Sequence, residues 1–328
     1  MEPAAEGATP PGAAGGEPSS AAYNTRDDTH GGPVGGGTGR TTGETADMTP
    51  DETPDNTPEK NGRTGRNLPA AIAVGLVLAG LVLGTIYTFK VLFLVVVAVA
   101  VGIGVSEMAG AVAQRGIKVP TVIVQAGLAA MLAAGYWGGP ASLLGVFVML
   151  VLVLLAWRMF QGSDGYVRDA SAGVLIAVYP ALLAAFVGLL LSPQDGPHRI
   201  VVFVAVTVAS DIGGYFAGVL FGRHPLAPVI SPKKTWEGFA GSAIACMAVG
   251  AWLVTWLLHG AIWQGALIGA VVVVLATMGD LIESVIKRDL GIKDLGSVLP
   301  GHGGLMDRLD SLVVTLVPVW ALLTIFFG

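Results

Sequence analysis

VLFLVVVAVAVGIGVSEMAGAVA, Val91 to Ala113, contains a single charged side chain, Glu107. About 20 consecutive apolar residues, rising ~1.5 Å each as a helix, cross the hydrocarbon core of a bilayer. The run lacks the strict polar–apolar alternation of a membrane β-strand. It is read as a transmembrane helix, and comparable runs lie on both sides of it. From Leu68 onward they give nine spans, at 68–89, 91–113, 119–138, 141–160, 170–192, 199–222, 235–258, 261–286 and 310–328. Lys90 and the Gly-Gly-Pro at 138–140 mark tight turns between neighbouring spans. The fold class is an all-α polytopic integral membrane protein of about nine transmembrane helices.

Composition agrees with that reading. The chain is 53% hydrophobic and 12% charged, whereas a soluble domain carries about 25% charged residues. The net charge of −5 is unevenly divided. Residues 1–66 hold eleven acidic and five basic side chains, and 67–328 hold twelve and thirteen. The first segment is rich in Gly, Pro, Thr and acidic residues, with almost nothing large and apolar to offset the entropy of ordering. It is expected to be a disordered, acidic, low-complexity cytosolic tail, without the apolar core of a signal peptide. The domain proper is 67–328. Cys246 is the only cysteine, so no intramolecular disulfide forms, and it reads as a small buried residue.

Basic residues set the expected orientation. With the N-terminus cytoplasmic, the inside segments hold thirteen: Arg63, Arg66, Arg115, Lys118, Arg158, Arg168, Arg223, Lys233, Lys234, Lys287, Arg288, Lys293 and Arg308. The outside segments hold Lys90 and Arg199. This positive-inside bias supports an odd number of spans and a C-terminus outside.

Polar residues inside an apolar body are costly and mark function. Asp211 lies twelve residues before Arg223, roughly 18 Å along a helix. Asp211, Gly214, Tyr215, Gly218 and Gly222 share one helix face, on which the glycines admit a close neighbour. Asp211 is either a helix-joining hydrogen-bonded acid or a carboxylate in an aqueous cavity. After that span comes SPKKTWEG, Ser231 to Gly238. Two lysines, two hydroxyls and the N–H groups of a helix start suit a phosphate chain. Ser231 also reads as an N-cap followed by Pro at N1, and the lysines alone also read as positive-inside anchors.

The next span ends GDLIESVIKRD, and Asp280, Glu283, Ser284 and Lys287 fall on one face. A buried Asp280 requires a cation, Lys287 or a metal as partner; a Glu283–Lys287 ion pair is the plainer reading of the last turn. Ser284 to Asp310, SVIKRDLGIKDLGSVLPGHGGLMDRLD, is the most polar stretch of the C-terminal half. Its Pro300–Gly304 turn allows backbone to approach a ligand. His302 can contact phosphate or exchange a proton. Asp307 and Asp310 follow at i and i+3. Carboxylates from separate segments, beside lysines and a glycine-rich turn, suit Mg²⁺-assisted phosphoryl or nucleotidyl transfer.

Three motifs in series, D-x-G-G-Y-x-x-G-x-x-x-G-R (Asp211–Arg223), S-P-K-K-T-x-E-G (Ser231–Gly238) and S-x-x-K-R-x(4)-K-D-x(5)-P-G-H-G-G-x-x-D-R-x-D (Ser284–Asp310), resemble those of the phosphatidate cytidylyltransferase (CDP-diacylglycerol synthase) family. The similarity covers about 68–328 and is strongest at 207–312. It implies CTP + phosphatidate → CDP-diacylglycerol + pyrophosphate, with Mg²⁺ and a monovalent cation such as K⁺. It implies a metal centre served by Asp280 and Asp307, and nucleotide handling by the SPKKTWEG loop. It also implies a homodimer and phosphatidate drawn from the bilayer, with no nucleic acid involved. The expected setting is the cytoplasmic membrane, with the site facing the cytosol.

The residues themselves suggest a direct in-line attack, in which Asp280, Asp307, Lys287, Arg308 and Asp211 form the catalytic set. Substrate binding is expected from Ser231, Lys233, Lys234, Thr235, Glu237, Ser284, Arg288, Lys293, His302, Gly303 and Gly304. Glu237 and Asp211 would orient lysines or a second cation. Glu107 is left open between helix-end solvation and support of the site. A transporter with Asp211 and Asp280 as ion carriers explains the buried acids but not the HGG turn or the lysines. A closer alternative is a related enzyme using CTP on another lipid phosphate or an isoprenoid alcohol, a choice that the residues lining the lipid gap would decide.

Overall fold

Backbone in hydrocarbon must satisfy its own N–H and C=O groups, and long apolar runs do so as helices. The computed structural model describes residues 80–296 and 304–328, apart from the side chain of Pro232. The acidic tail at 1–66 and residues 297–303, with most of the Pro300–Gly304 turn, lie outside the described residues. In chain order the helices are α1 (80–88), α2 (Lys90–Ala113), α3 (Thr121–Ala133), α4 (Gly139–Met159), α5 (Tyr166–Ile176), α6 (Leu183–Leu191), α7 (Gly196–Phe221), α8 (Trp236–Leu257), α9 (Ile262–Asp289) and α10 (Met306–Phe327). Wider π-helical turns join α3 to α4 at Ala134–Gly138 and α5 to α6 at Ala177–Leu182. The second contains Pro180, whose missing N–H a wide turn accommodates.

Seven helical runs among the described residues are long and apolar enough to cross a membrane. The spans expected at 119–138 and 141–160 form one of these runs, Thr121–Met159. That run doubles back on itself. A Cβ on Gly127 would strike the Leu150 side chain, although 23 residues of straight helix separate their ends by ~35 Å. The reversal falls at the expected Gly-Gly-Pro, where Gly139 has φ +76°, a conformation glycine adopts without steric cost. The first expected span is described only over α1. A single extended residue, Phe89, separates α1 from α2.

Long-range hydrogen bonds define the two ends of the bundle. At one end Arg115 donates to the Leu290 carbonyl through Nε (3.1 Å) and Nη2 (2.7 Å). Arg168 donates to the Gly116 carbonyl (2.9 Å), and buried Arg158 pairs with buried Asp169 at 3.0 Å. At the other end Lys90 donates to the carbonyls of Leu191 (3.2 Å) and Pro193 (2.5 Å). There Arg199 pairs with Asp195 (2.9 Å) and donates to the Phe327 carbonyl (3.0 Å). The two basic residues assigned to the outside thus gather at one end, and Arg115, Arg158 and Arg168 gather at the other.

Helices α7, α8 and α9 pack through small residues. A Cβ on Gly213 would come within 2.7 Å of the Gly241 carbonyl, and one on Gly214 within 2.5 Å of Ser242 Oγ. Added Cβ atoms on Gly250 and Gly265 would strike the facing backbone, and one on Gly269 would strike the Cys246 carbonyl. Cys246 is fully buried, its thiol 3.4 Å from the Val206 carbonyl.

Between α7 and α8 the chain forms an antiparallel hairpin, β1 (Pro225–Ala227) and β2 (Ser231–Thr235), pairing Pro225 with Thr235 and Ala227 with Ser231. Ser231 is therefore not the N-cap of the following helix, as the sequence suggested. The extended strand carries the chain on to Thr235, whose φ/ψ of −123°/154° and Oγ1, accepting from Gly238 N at 3.1 Å, make it the cap.

Candidate active site

The hairpin, α7, α8 and α9 together line a half-open cavity of about 250 Å³. Asp211, Gly214, Tyr215 and Gly218 supply one wall, so the glycine face of α7 is the face that opens into it. Lys233, Lys234 and Thr235 come from the hairpin, Gly238 and Ser242 from α8, and Thr277 and Asp280 from α9. Asp211 and the SPKKT strand, separate in sequence from the Ser284–Asp310 stretch, thus face Asp280 across one space.

Beside the cavity lies a cluster of carboxylates and ammonium groups. Asp280 is bonded by the Lys234 ammonium and accepts from Ser311 Oγ at 3.1 Å. Its partner cation is therefore the hairpin lysine rather than Lys287. Lys287 instead lies 2.8 Å from Asp307 and 3.3 Å from Glu283. Asp307 Oδ2 also accepts from the backbone N–H groups of Leu295 (3.2 Å) and Gly304 (3.1 Å). Buried Asp310 reaches both Asp280 and Glu283, and Glu283 reaches Asp307. The four acids form a chain running Asp280, Asp310, Glu283, Asp307.

The close approach has a local cause. Each helix carries an acid doublet at i and i+3, and Gly279 lets α10 lie so near α9 that a Cβ there would be 2.9 Å from the Asp310 carbonyl. The Tyr179 hydroxyl, from the π-turn containing Pro180, donates to the Gly279 carbonyl at 3.4 Å. Glu283 is 2% exposed, and its Oε1 is a buried side-chain oxygen without a hydrogen-bond donor among the described residues. Abutting ionised carboxylates repel one another unless a proton or cation lies between them.

The other expected site residues occupy distinct places. Glu237 closes the base of the hairpin, accepting from the N–H groups of Arg223 (3.1 Å) and His224 (3.2 Å) and lying 2.6 Å from His224 Nδ1. Ser231 begins β2, and Ser284 is half-buried on α9. Arg288 and Lys293 are exposed past the acidic cluster, and Arg308 is exposed on the first turn of α10. His302 and Gly303 lie outside the described residues, and Gly304 is buried. The site expected from sequence left out Ser311 and Tyr179, and it named Asp310 beside Asp307 without giving it a role. The paired i, i+3 acid doublets were the available signal for Asp310; nothing marked Tyr179.

Among the described residues no three His, Cys, Asp or Glu side chains converge as a preformed metal cage. Mg²⁺ does not need one: it keeps several waters and binds through one or two carboxylates plus substrate phosphates. The buried acid chain with an orphaned oxygen fits a divalent cation of that kind.

Residues 69–326 match the model of the Cytidylyltransferase family. The chain is 39% identical over 279 residues to a phosphatidate cytidylyltransferase of Mycobacterium leprae, covering 80% of this chain and 89% of that protein. It is 39% identical over 278 residues to one of Mycobacterium tuberculosis, covering 80% and 84%. A phosphatidate cytidylyltransferase of Staphylococcus saprophyticus is 32% identical over 204 residues, covering 61% of this chain and 77% of its own.

Proposed function

The chain belongs to the cytidylyltransferase family, and we propose that it transfers CMP from CTP to phosphatidate, forming CDP-diacylglycerol and releasing pyrophosphate. The observation that carries the reading is the juxtaposition of the lysine-bearing hairpin with the buried acid chain across one cavity. The alignment extends over nearly the whole bundle rather than one motif.

A phosphatidate phosphate oxygen attacks the α-phosphorus of CTP in line, and pyrophosphate departs with the bonding pair. The nucleophile is already anionic, so neither a serine or cysteine nucleophile nor a strong general base is required. The residues of the chain position the reactants and neutralise their charge. Lys233 and Lys234 reach into the cavity from β2, where they would bind phosphate oxygens. Lys287 stands at the Asp307 end of the acid chain and Arg308 on the exposed first turn of α10, within electrostatic reach of Asp211, and both would help neutralise the substrate phosphates. Thr235, on the cavity wall, would offer its hydroxyl to the nucleotide.

Asp280 and Asp307, backed by Asp310 and Glu283, would hold Mg²⁺. When bound it screens the repulsion between the two substrates and the charge on the leaving pyrophosphate. A monovalent cation such as K⁺ would sit with Asp211 at the cavity edge.

We place the Arg115, Arg158 and hairpin end of the bundle in the cytosol, where CTP is available, in the cytoplasmic membrane. Counting Thr121–Met159 as two passes and the run from Leu68 through α1 as another gives nine crossings with the N-terminus cytoplasmic. A homodimer belongs to the same proposal.

Product analysis of the purified protein tests it. Phosphatidate with CTP should yield CDP-diacylglycerol and pyrophosphate in equal amounts, with other nucleotides and other lipid phosphates turned over more slowly. Absence of a nucleotide-bearing lipid would contradict the reading. Faster turnover of a different lipid acceptor would redirect it within the family.

A further inference from the structure

Glu107 is the one acid of α2, and it is 7% exposed although it sits in the last two turns of an apolar helix. Its side chain leaves α2 and meets the start of α10. Oε1 accepts from Leu305 N at 3.0 Å and Oε2 from Met306 N at 2.8 Å. These belong to the group of N–H donors at a helix start that have no partner within the helix. A carboxylate there also meets the positive end of the helix dipole. Leu305, the N-cap of α10, makes no side-chain cap of its own. Glu107 thus caps this helix from a different helix, nearly two hundred residues away in sequence.

The contact extends to the segments on either side of α10's start. A Cβ on Gly296 would strike the Glu107 carboxylate, and one on Gly304 would lie 3.0 Å from Oε2, 2.6 Å from Asp307 Oδ2 and 2.8 Å from Gly296 N. Both positions therefore lack a side chain where the two carboxylates need the room. Glu107 grips Leu305 and Met306, while Asp307 grips Leu295 and Gly304. The two acids hold the same crossing of chain from opposite sides, and Asp307 begins one residue after the last N–H that Glu107 binds.

We propose that Glu107 is a positioning residue for Asp307. It fixes the first turn of α10, and with it the direction in which the Asp307 carboxylate faces Lys287 and Glu283. The proposal rests on the reading of Asp307 as part of the reaction centre, but the grip itself does not.

Glu107→Gln keeps the shape of the side chain, removes its charge and leaves one acceptor oxygen where there were two. Amide hydrogen exchange in detergent should show Leu305 and Met306 exchanging about tenfold faster or more, while the rest of α10 is unchanged. Turnover per folded molecule should fall about tenfold or more with KM for CTP within about threefold, because misplacing a reacting group lowers kcat. A purely structural role would lower the folded fraction and leave kcat per folded molecule alone. Should Glu107→Gln fail to fold, Gly304→Ala, which inserts a methyl between the two carboxylates, should give the same loss of kcat. Unchanged exchange at Leu305 and Met306, or a kcat within about twofold of the unsubstituted protein's, overturns the proposal. The exchange difference is read without any substrate, so it stands apart from failure of the proposed reaction, which the unsubstituted chain alone reveals.

Discussion

Asp280 is the residue on which the two halves of the site converge. The hairpin reaches it through Lys234, α10 through Ser311 and Asp310, and α9 carries it. Lys234 has two tasks in consequence: it neutralises Asp280 and it presents a cation to the cavity. Lys234→Gln removes both, and a charged hydrogen bond is worth about 1.5–3 kcal/mol. Steady-state kinetics should show KM for CTP raised about tenfold or more, with the protein still folded; an unchanged KM would remove Lys234 from the nucleotide site. Much of this was legible from residue spacing. The face carrying Asp280, Glu283, Ser284 and Lys287 follows from helical periodicity, as does the glycine face below Asp211. The pairing of Asp280 with Lys234 rather than Lys287 was not legible, because it depends on a hairpin folding back over α9. The Asp307–Asp310 doublet was visible in the sequence, but its contact with the doublet on α9 was not, because that depends on Gly279 letting α10 approach.

Helix boundaries followed from hydropathy to within a few residues, as α7, α8 and α9 illustrate. The exceptions are the elements whose cause is local backbone chemistry. The SPKKT segment carries a proline and two hydroxyl residues that read as a helix start, yet it forms a strand because its partner Pro225–Ala227 lies across a short turn. The helix begins only where Thr235 caps it. The glycines between α8 and α9 belong to this scale as well. Gly265 faces the Gly250 backbone with no room for a Cβ, and overpacking of this kind costs about 1–3 kcal/mol. Gly265→Leu should lower the thermal unfolding midpoint in detergent by several degrees and cost activity only through the loss of folded protein. An unshifted midpoint would show that the α8–α9 crossing is looser than its geometry.

The whole bundle has two chemically different ends, and the basic residues distinguish them as the positive-inside rule anticipates. The single cysteine, Cys246, is buried, so the native chain should be silent to an impermeant thiol reagent. Ser163→Cys, in the α4–α5 loop, should then react only from the cytosolic face of sealed vesicles. Gln194→Cys, between α6 and α7, should react only from the other face; labelling of both from one side would refute the orientation. The helical bundle and the family were accessible from sequence, because they depend on the order of hydropathy and motifs along the chain. The contact of α2 with the start of α10 was not, because it joins residues nearly two hundred positions apart. The central claim, CMP transfer at the acid–lysine centre, is tested most directly by following label from α-phosphate-labelled CTP into lipid with phosphatidate present. The unsubstituted protein should produce labelled CDP-diacylglycerol, and folded Asp280→Asn about a hundredfold less or lower still; equal labelling by the two, or none by the unsubstituted protein, would contradict the account.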